Sequence, residues 1–135
     1  VVDVHSSLFA EGRPLLGRPD RVEDHAVATI TLAAGPVVRL ACSWRLHAGR
    51  DAVFEAAFYG TGGGASFRNV AGSFYDFTAE HFTGTDARTL VSPPDEWGGR
   101  AAADWARRLA AGGRFDPDAE ALVQTAEVLD RIYRR

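Results

Sequence analysis

Trp44, His47, Arg50 and Asp51 fall within one stretch of eight residues and combine an indole face, an imidazole, a guanidinium and a carboxylate. Together they suit a sugar or a carboxylated small molecule, because an indole stacks on a ring face while guanidinium and carboxylate hydrogen-bond hydroxyls or an acid group. The same residues also fit a plainer description, with Arg50 and Asp51 as solvated charges at a hairpin tip and Trp44 in the core. Spacing alone leaves both open.

The remaining chemical groups point away from a self-sufficient catalyst. Gly60-Thr61-Gly62-Gly63-Gly64-Ala65 spells G-x-G-x-x-A after an apolar run. A dinucleotide loop must lead into a helix whose N-terminus receives the pyrophosphate, whereas Ser66-Phe67-Arg68-Asn69-Val70 continues as a strand. The glycines are therefore expected to form a tight hairpin turn. His5, His25 and His81 lie in separate segments without metal-ligand spacing, and Ser6, Ser7 and Ser73 lack the G-x-S-x-G context of a nucleophile elbow. Asp76 and Glu80 can share a strand face as paired carboxylates or stand as separate solvated charges. No catalytic residue and no metal ligand is assigned within the chain.

All fifteen basic residues are arginine and the formal net charge is -3. The absence of lysine excludes a P-loop or a Schiff base within these residues, and the charge balance gives no electrostatic reason for a nucleic-acid partner. The single cysteine, Cys42, lies in an apolar run and is expected as a buried, inert thiol in a reducing compartment. No apolar run reaches the length of a membrane span and no secretory signal opens the chain, so a soluble cytoplasmic protein without membrane association is expected. The chain contains no methionine and begins inside an apolar run, which suggests a piece of a longer protein.

Alternation of apolar and polar residues marks strands. In Val1–Ala10, Val2, Val4 and Leu8 oppose Asp3 and His5; Glu11–Glu23 follows as a surface loop. Ala26, Ala28, Ile30 and Leu32 share one face of Asp24–Ala34, and Gly35-Pro36 turns the chain into a second strand over Val37–Leu46. Ala52–Tyr59, apolar at nearly every position, is expected as a central strand, with Ala65–Val70 as its hairpin partner. Phe74–Phe82 and a short edge strand over Ala87–Val91 complete the set.

The period then changes to that of helices. Ser92-Pro93-Pro94-Asp95 reads as a helix start leading to Ala101, Ala102, Trp105 and Leu109, with Gly112-Gly113 as the stop. A second helix opens at Asp116-Pro117 and carries the stripe Leu122, Ala126, Leu129 and Tyr133, with Arg131, Arg134 and Arg135 at its negative end. Strands first and helices last define an α+β fold: an open-faced, largely antiparallel sheet of about six strands with two C-terminal helices on one face, as a single domain over residues 1–135. Apolar residues occur on both sets of alternating positions, as Val27 beside Ile30 and Val37 beside Val38. The uncovered face is therefore expected to pack against a second subunit, sheet to sheet.

These residues carry a resemblance. VVDVHSSLFA, VEDHAVATITLAAGPVVRLACSW, GRDAVFEAAFYGTGGG and WARRLAAGGRFDPDAEALVQTAEVLDRIY, in this order, resemble the C-terminal domain of the Gfo/Idh/MocA family of NAD(P)-dependent oxidoreductases. Glu55 with Phe58-Tyr59-Gly60-Thr61-Gly62-Gly63 is similar to the family's strand and turn. The resemblance implies a domain that shapes the pocket for a sugar, polyol or related substrate and mediates homo-oligomerisation. It implies that NAD or NADP binds to an N-terminal Rossmann domain outside these residues, so that no cofactor is expected here and the isolated domain is inert. Family members acting on inositol carry Gly-Tyr-Asp where this chain has Gly49-Arg50-Asp51. An arginine there suits an acidic or phosphorylated sugar, which places Arg50 first among the substrate contacts, with His47, Trp44 and Asp51 beside it. A free-standing carbohydrate-binding or protein-interaction module is the alternative.

Overall fold

The computed structural model describes residues 1–134; Arg135, expected at the basic end of the last helix, lies outside the described residues. Contacts gather the chain into two compact units, one made of residues 1–46 together with those from Gly112 onward, the other of residues 47–111.

The first unit is built on four strands, β1 (Asp3–Ala10), β2 (Arg13–Leu15), β3 (His25–Thr31) and β4 (Val37–Ser43), in the order β2-β1-β3-β4 and antiparallel throughout. Glu11 and Gly12, with φ of 53° and 73°, form the two-residue turn between β1 and β2. Left-handed backbone at both positions matches the twist of adjacent strands, so part of the expected Glu11–Glu23 loop is an edge strand. At the β3–β4 connection Gly35 takes a φ of 100° and the Leu32 amide donates to the Pro36 carbonyl, which closes the hairpin where Gly-Pro predicts it.

Leu8, Ala26, Ala28 and Ile30, the alternating positions of β1 and β3, are buried against Ile132. Two alanines at the centre of this face let a helix approach closely, and only one helical turn does so. The helix that supplies it follows a 3-10 turn at Pro117–Ala119, where the Asp116 carboxylate accepts the Asp118 amide as an N-cap, the arrangement that Asp-Pro predicts. Its last turn is fixed by hydrogen bonds: Ser6 Oγ donates to the Ile132 carbonyl at 2.6 Å, and Arg131 donates to the carbonyls of Val1 and Val2 at 3.0 and 2.9 Å. Arg134 donates to the carbonyl of Ser6 at 2.7 Å and to those of Leu15 and Gly17 at 3.1 and 2.9 Å. Leu122 and Leu129, on the expected stripe, are exposed instead, and Val128, Ile132 and Tyr133 make the contact.

The second unit holds β5 (Glu55–Gly60), β6 (Gly63–Asn69), β7 (Phe77–Thr83) and β8 (Asp86–Val91), in that order, all antiparallel. Gly60 pairs with Gly63 around Thr61-Gly62, so the glycine cluster is a hairpin turn. Its glycines answer to close approach: a Cβ on Gly63 would lie 2.9 Å from the Phe82 carbonyl oxygen, and one on Gly64 would lie 2.9 Å from that of Phe58. On one face of this sheet Phe67 stacks on Phe77, with centroids 4.9 Å apart, while Phe54 and Trp97 flank Phe77. On the other, Arg68 pairs with Glu80 at 3.1 Å.

Among the described residues the fold is thus α+β, with eight strands in two four-stranded sheets where a single sheet of about six was expected. β5, expected at the centre, is an edge strand, because β6 is its only hydrogen-bonded neighbour. The two helices are α1 (Arg100–Ala110) and α2 (Glu120–Ile132). They do not share one sheet face: α2 packs on β1, while α1 belongs to the second unit and buries no residue. α1 also begins later than Ser92-Pro93-Pro94-Asp95 predicts, after Gly99 in the left-handed region. The intervening segment instead docks Trp97, whose Nε1 donates to the Tyr75 carbonyl at 2.8 Å. β4 lies beyond the reach of α2, which leaves Cys42 exposed rather than buried. The open face of the first sheet is mixed, carrying Phe9, Val27, Val37 and Ala41 among Asp3, His5, Ser7, Thr29, Thr31 and Arg39.

Because Leu8 is 1% exposed inside this small core, Leu8→Ala is expected to cost about 2–5 kcal/mol, while Leu122→Ala should stay within about 0.5 kcal/mol. Urea unfolding followed by far-UV circular dichroism checks both, and equal losses would contradict the assignment of the docked helical turn.

Candidate functional site

Trp44 follows β4 directly. The strand ends at Ser43, short of the Leu46 predicted from alternation, because Ser43 Oγ donates to the Asp24 carbonyl at 2.7 Å and accepts the Arg45 amide at 3.1 Å. That side-chain turn releases the indole from the pleat. Its Nε1 donates to the Glu23 carbonyl at 2.8 Å, while the residue is 75% exposed. A tryptophan pinned by one edge and open over its surface is a platform, which removes the core description of Trp44.

The platform borders an open cleft of about 430 Å³ lined by Glu11, Arg21, Glu23, Asp24 and Arg45, with a smaller recess of about 160 Å³ on the side of His25 and Cys42. Within the larger cleft the Asp24 carboxylate accepts the Glu11 amide at 2.7 Å and faces Arg45 Nη1 at 3.5 Å; Glu11 stands 3.9 Å from the same guanidinium. Glu23 is buried, and its carboxylate accepts the Tyr133 hydroxyl at 2.5 Å. The lining of the cleft thus combines two arginines, three acidic residues and an exposed indole. This mixture can exchange hydrogen bonds with several hydroxyls at once, the donor and acceptor pattern of a polyhydroxylated ligand.

Sequence reasoning selected Trp44 but missed Arg21, Glu23, Asp24 and Arg45. They arrive from two separate segments, before β3 and after β4, and the one local signal was Val22-Glu23-Asp24, charge placed just before an alternating strand.

His47, Arg50 and Asp51 belong to the second unit, whereas Trp44 belongs to the first, so the four residues expected to act together are divided between the two. All three are exposed, and their side chains make no hydrogen bond or ion pair among the described residues. Their loop is nonetheless held from below. Asn69 donates to the carbonyls of Ala52 and Ser73 at 3.0 and 2.9 Å and accepts the Phe54 amide at 2.9 Å. Gly72, with a φ of 83°, sits so close that an added Cβ would meet the Arg50 Cβ at 2.9 Å. Glu80 is engaged by Arg68 and Ser66 and Asp76 by Ser73, so these two carboxylates do not act as a pair.

Among the described residues no group of three or more His, Cys, Asp or Glu side chains is placed to hold a metal ion, and no helix is long and apolar enough to cross a membrane. The Gly60–Ala65 segment leads into β6 rather than a helix, so it does not fit a nicotinamide dinucleotide. Family models, curated proteins and solved structures yield no match to this chain. The candidate site is therefore described by its local geometry alone, an open cleft beside an exposed indole with a lining of mixed charge.

Gly72→Ala is expected to strain the left-handed backbone, displace Arg50 and destabilise the second unit by about 1–3 kcal/mol. Amide hydrogen exchange should accelerate across residues 47–54, and unchanged protection there would show that Gly72 does not hold the loop.

Proposed function

We propose that this chain is the substrate-binding and oligomerisation domain of an NAD(P)-dependent oxidoreductase acting on a sugar, polyol or related substrate. The observation that carries the substrate class is the open indole of Trp44 over a cleft edged by Arg45 and Asp24. The resemblance of the whole chain to the C-terminal domain of the Gfo/Idh/MocA family, together with the α+β order of strands then helices, supports the enzyme class. Trp44 stacks on the apolar face of the substrate ring while Arg45, Arg21 and Asp24 orient its hydroxyls or acid group. Arg50, His47 and Asp51 stand exposed on their own braced loop in the second unit. The nucleotide is bound by residues outside this chain, and the domain by itself is inert.

The rival reading, a free-standing carbohydrate-binding module, is favoured by the fact that every residue lining the cleft lies in the first unit. The encoding reading frame separates the two. A βαβ unit with a glycine-rich turn encoded upstream supports the oxidoreductase domain, and a start codon directly before Val1 supports the module.

Titration with glucuronate and with myo-inositol should move the Trp44 indole N–H resonance in a nitrogen–proton correlation spectrum. Trp44→Ala should weaken the binding at least tenfold, about 1.4 kcal/mol. NAD should leave Gly60–Gly64 unshifted. An indole signal that ignores both glucuronate and myo-inositol, or micromolar NAD binding at the glycine turn, would sink the assignment.

A further inference from the structure

Only one of the two edges of the first sheet is guarded. β2 has three residues with Pro14 at its centre, and Arg134 already occupies the Leu15 carbonyl. A short strand, a proline and a capped carbonyl are devices that stop strand addition. β4 has none of them. It runs seven residues, VVRLACS, without proline or lysine, with Arg39 as its one charge, and every residue in it is exposed. Its outward row of amides and carbonyls is a template for another strand.

We propose that β4 pairs antiparallel with β4 of a second copy, about a two-fold axis at Leu40. The strand is self-complementary in that register. Leu40 meets Leu40 of the second copy, Val38 meets Cys42, Val37 meets Ser43, and Arg39 meets Ala41. Val38, Leu40 and Cys42 lie opposite Ile30, Ala28 and Ala26 in the β3–β4 ladder and so share their face. α2 covers that face over β1 and β3 but leaves Val38 and Leu40 43% and 38% exposed. Pairing joins two such stripes into one apolar band. A two-residue slip in either direction shortens the seven-pair ladder to five and in one direction sets Arg39 against Arg39, and a one-residue slip would turn apolar positions toward the opposite face, so the alternatives are disfavoured. The observation is independent of the oxidoreductase reading, and the contact is edge to edge rather than the face-to-face packing expected from sequence.

Residues directly opposite in an antiparallel pair have Cα atoms about 4.5–5.5 Å apart, within the span of a disulfide. In a Cys42→Ser background, Leu40→Cys should therefore give a disulfide dimer on mild oxidation, while Val123→Cys, exposed on α2, should give no disulfide-linked dimer. On the native background, Leu40→Lys should keep its circular dichroism and weaken the sedimenting dimer by at least about tenfold. If Leu40→Lys loses its fold, the crosslink decides. A chain that sediments only as a monomer overturns the proposal. So does a dimer that ignores Leu40→Lys and gives no Leu40→Cys crosslink, which would place association on another surface.

Discussion

A single helical turn closes the first unit. Ile132 is the only buried side chain of α2, and it completes a core whose other members are Leu8, Ala26, Ala28 and Ile30. So little apolar area would not hold a helix against a sheet without directional help. The help comes from arginines: Arg131 takes the carbonyls of Val1 and Val2, Arg134 takes those of Ser6, Leu15 and Gly17, and Ser6 returns a hydrogen bond to the helix's own Ile132 carbonyl. Charge-assisted bonds of this kind are roughly twice as strong as neutral ones. They join the two ends of the chain and fix β1, the strand on which both β2 and β3 are registered.

The same closure reaches the candidate cleft. Tyr133, one residue beyond Ile132, donates to the buried Glu23 carboxylate, and the Glu23 carbonyl holds the Trp44 indole. The core contact and the aromatic platform are thus two bonded steps apart. A buried carboxylate is costly unless it is hydrogen-bonded. Glu23 therefore has reason to keep Tyr133, and through it the orientation of α2's last turn.

Much of this was legible in the residues. Alternation placed Val4, Leu8, Ala26, Ala28 and Ile30 on their correct faces, Gly35-Pro36 and the Gly60 cluster marked real hairpins, and Asp116-Pro117 marked a real helix start. What escaped depends on which surfaces meet. Helical periodicity finds a stripe but not the turn that docks, so Leu122 and Leu129 were placed on the stripe although they are exposed, and Ile132, which docks, was not. β2 escaped because a three-residue strand with a central proline has no period to detect. The apolar character assigned to both faces came from Val27, Val37 and Ala41, which in the first sheet stand among Asp3, His5, Thr29 and Arg39. In the site, Trp44 was recognisable by type, but its partners Arg21, Asp24 and Arg45 converge only after β1, β3 and β4 are in register.

That convergence occurs at one end of the sheet: Glu11 follows β1, Asp24 precedes β3, and Trp44 and Arg45 follow β4. β4 is also the unguarded edge. A second strand laid along it would restrain the backbone on which Trp44 and Arg45 hang, and a ligand seated on Trp44 would restrain the same strand from its end. Two events that order one element favour each other, and by linkage each does so by the same factor. Occupancy of the cleft and pairing at the edge, each as proposed, would therefore both act on the seven residues of β4.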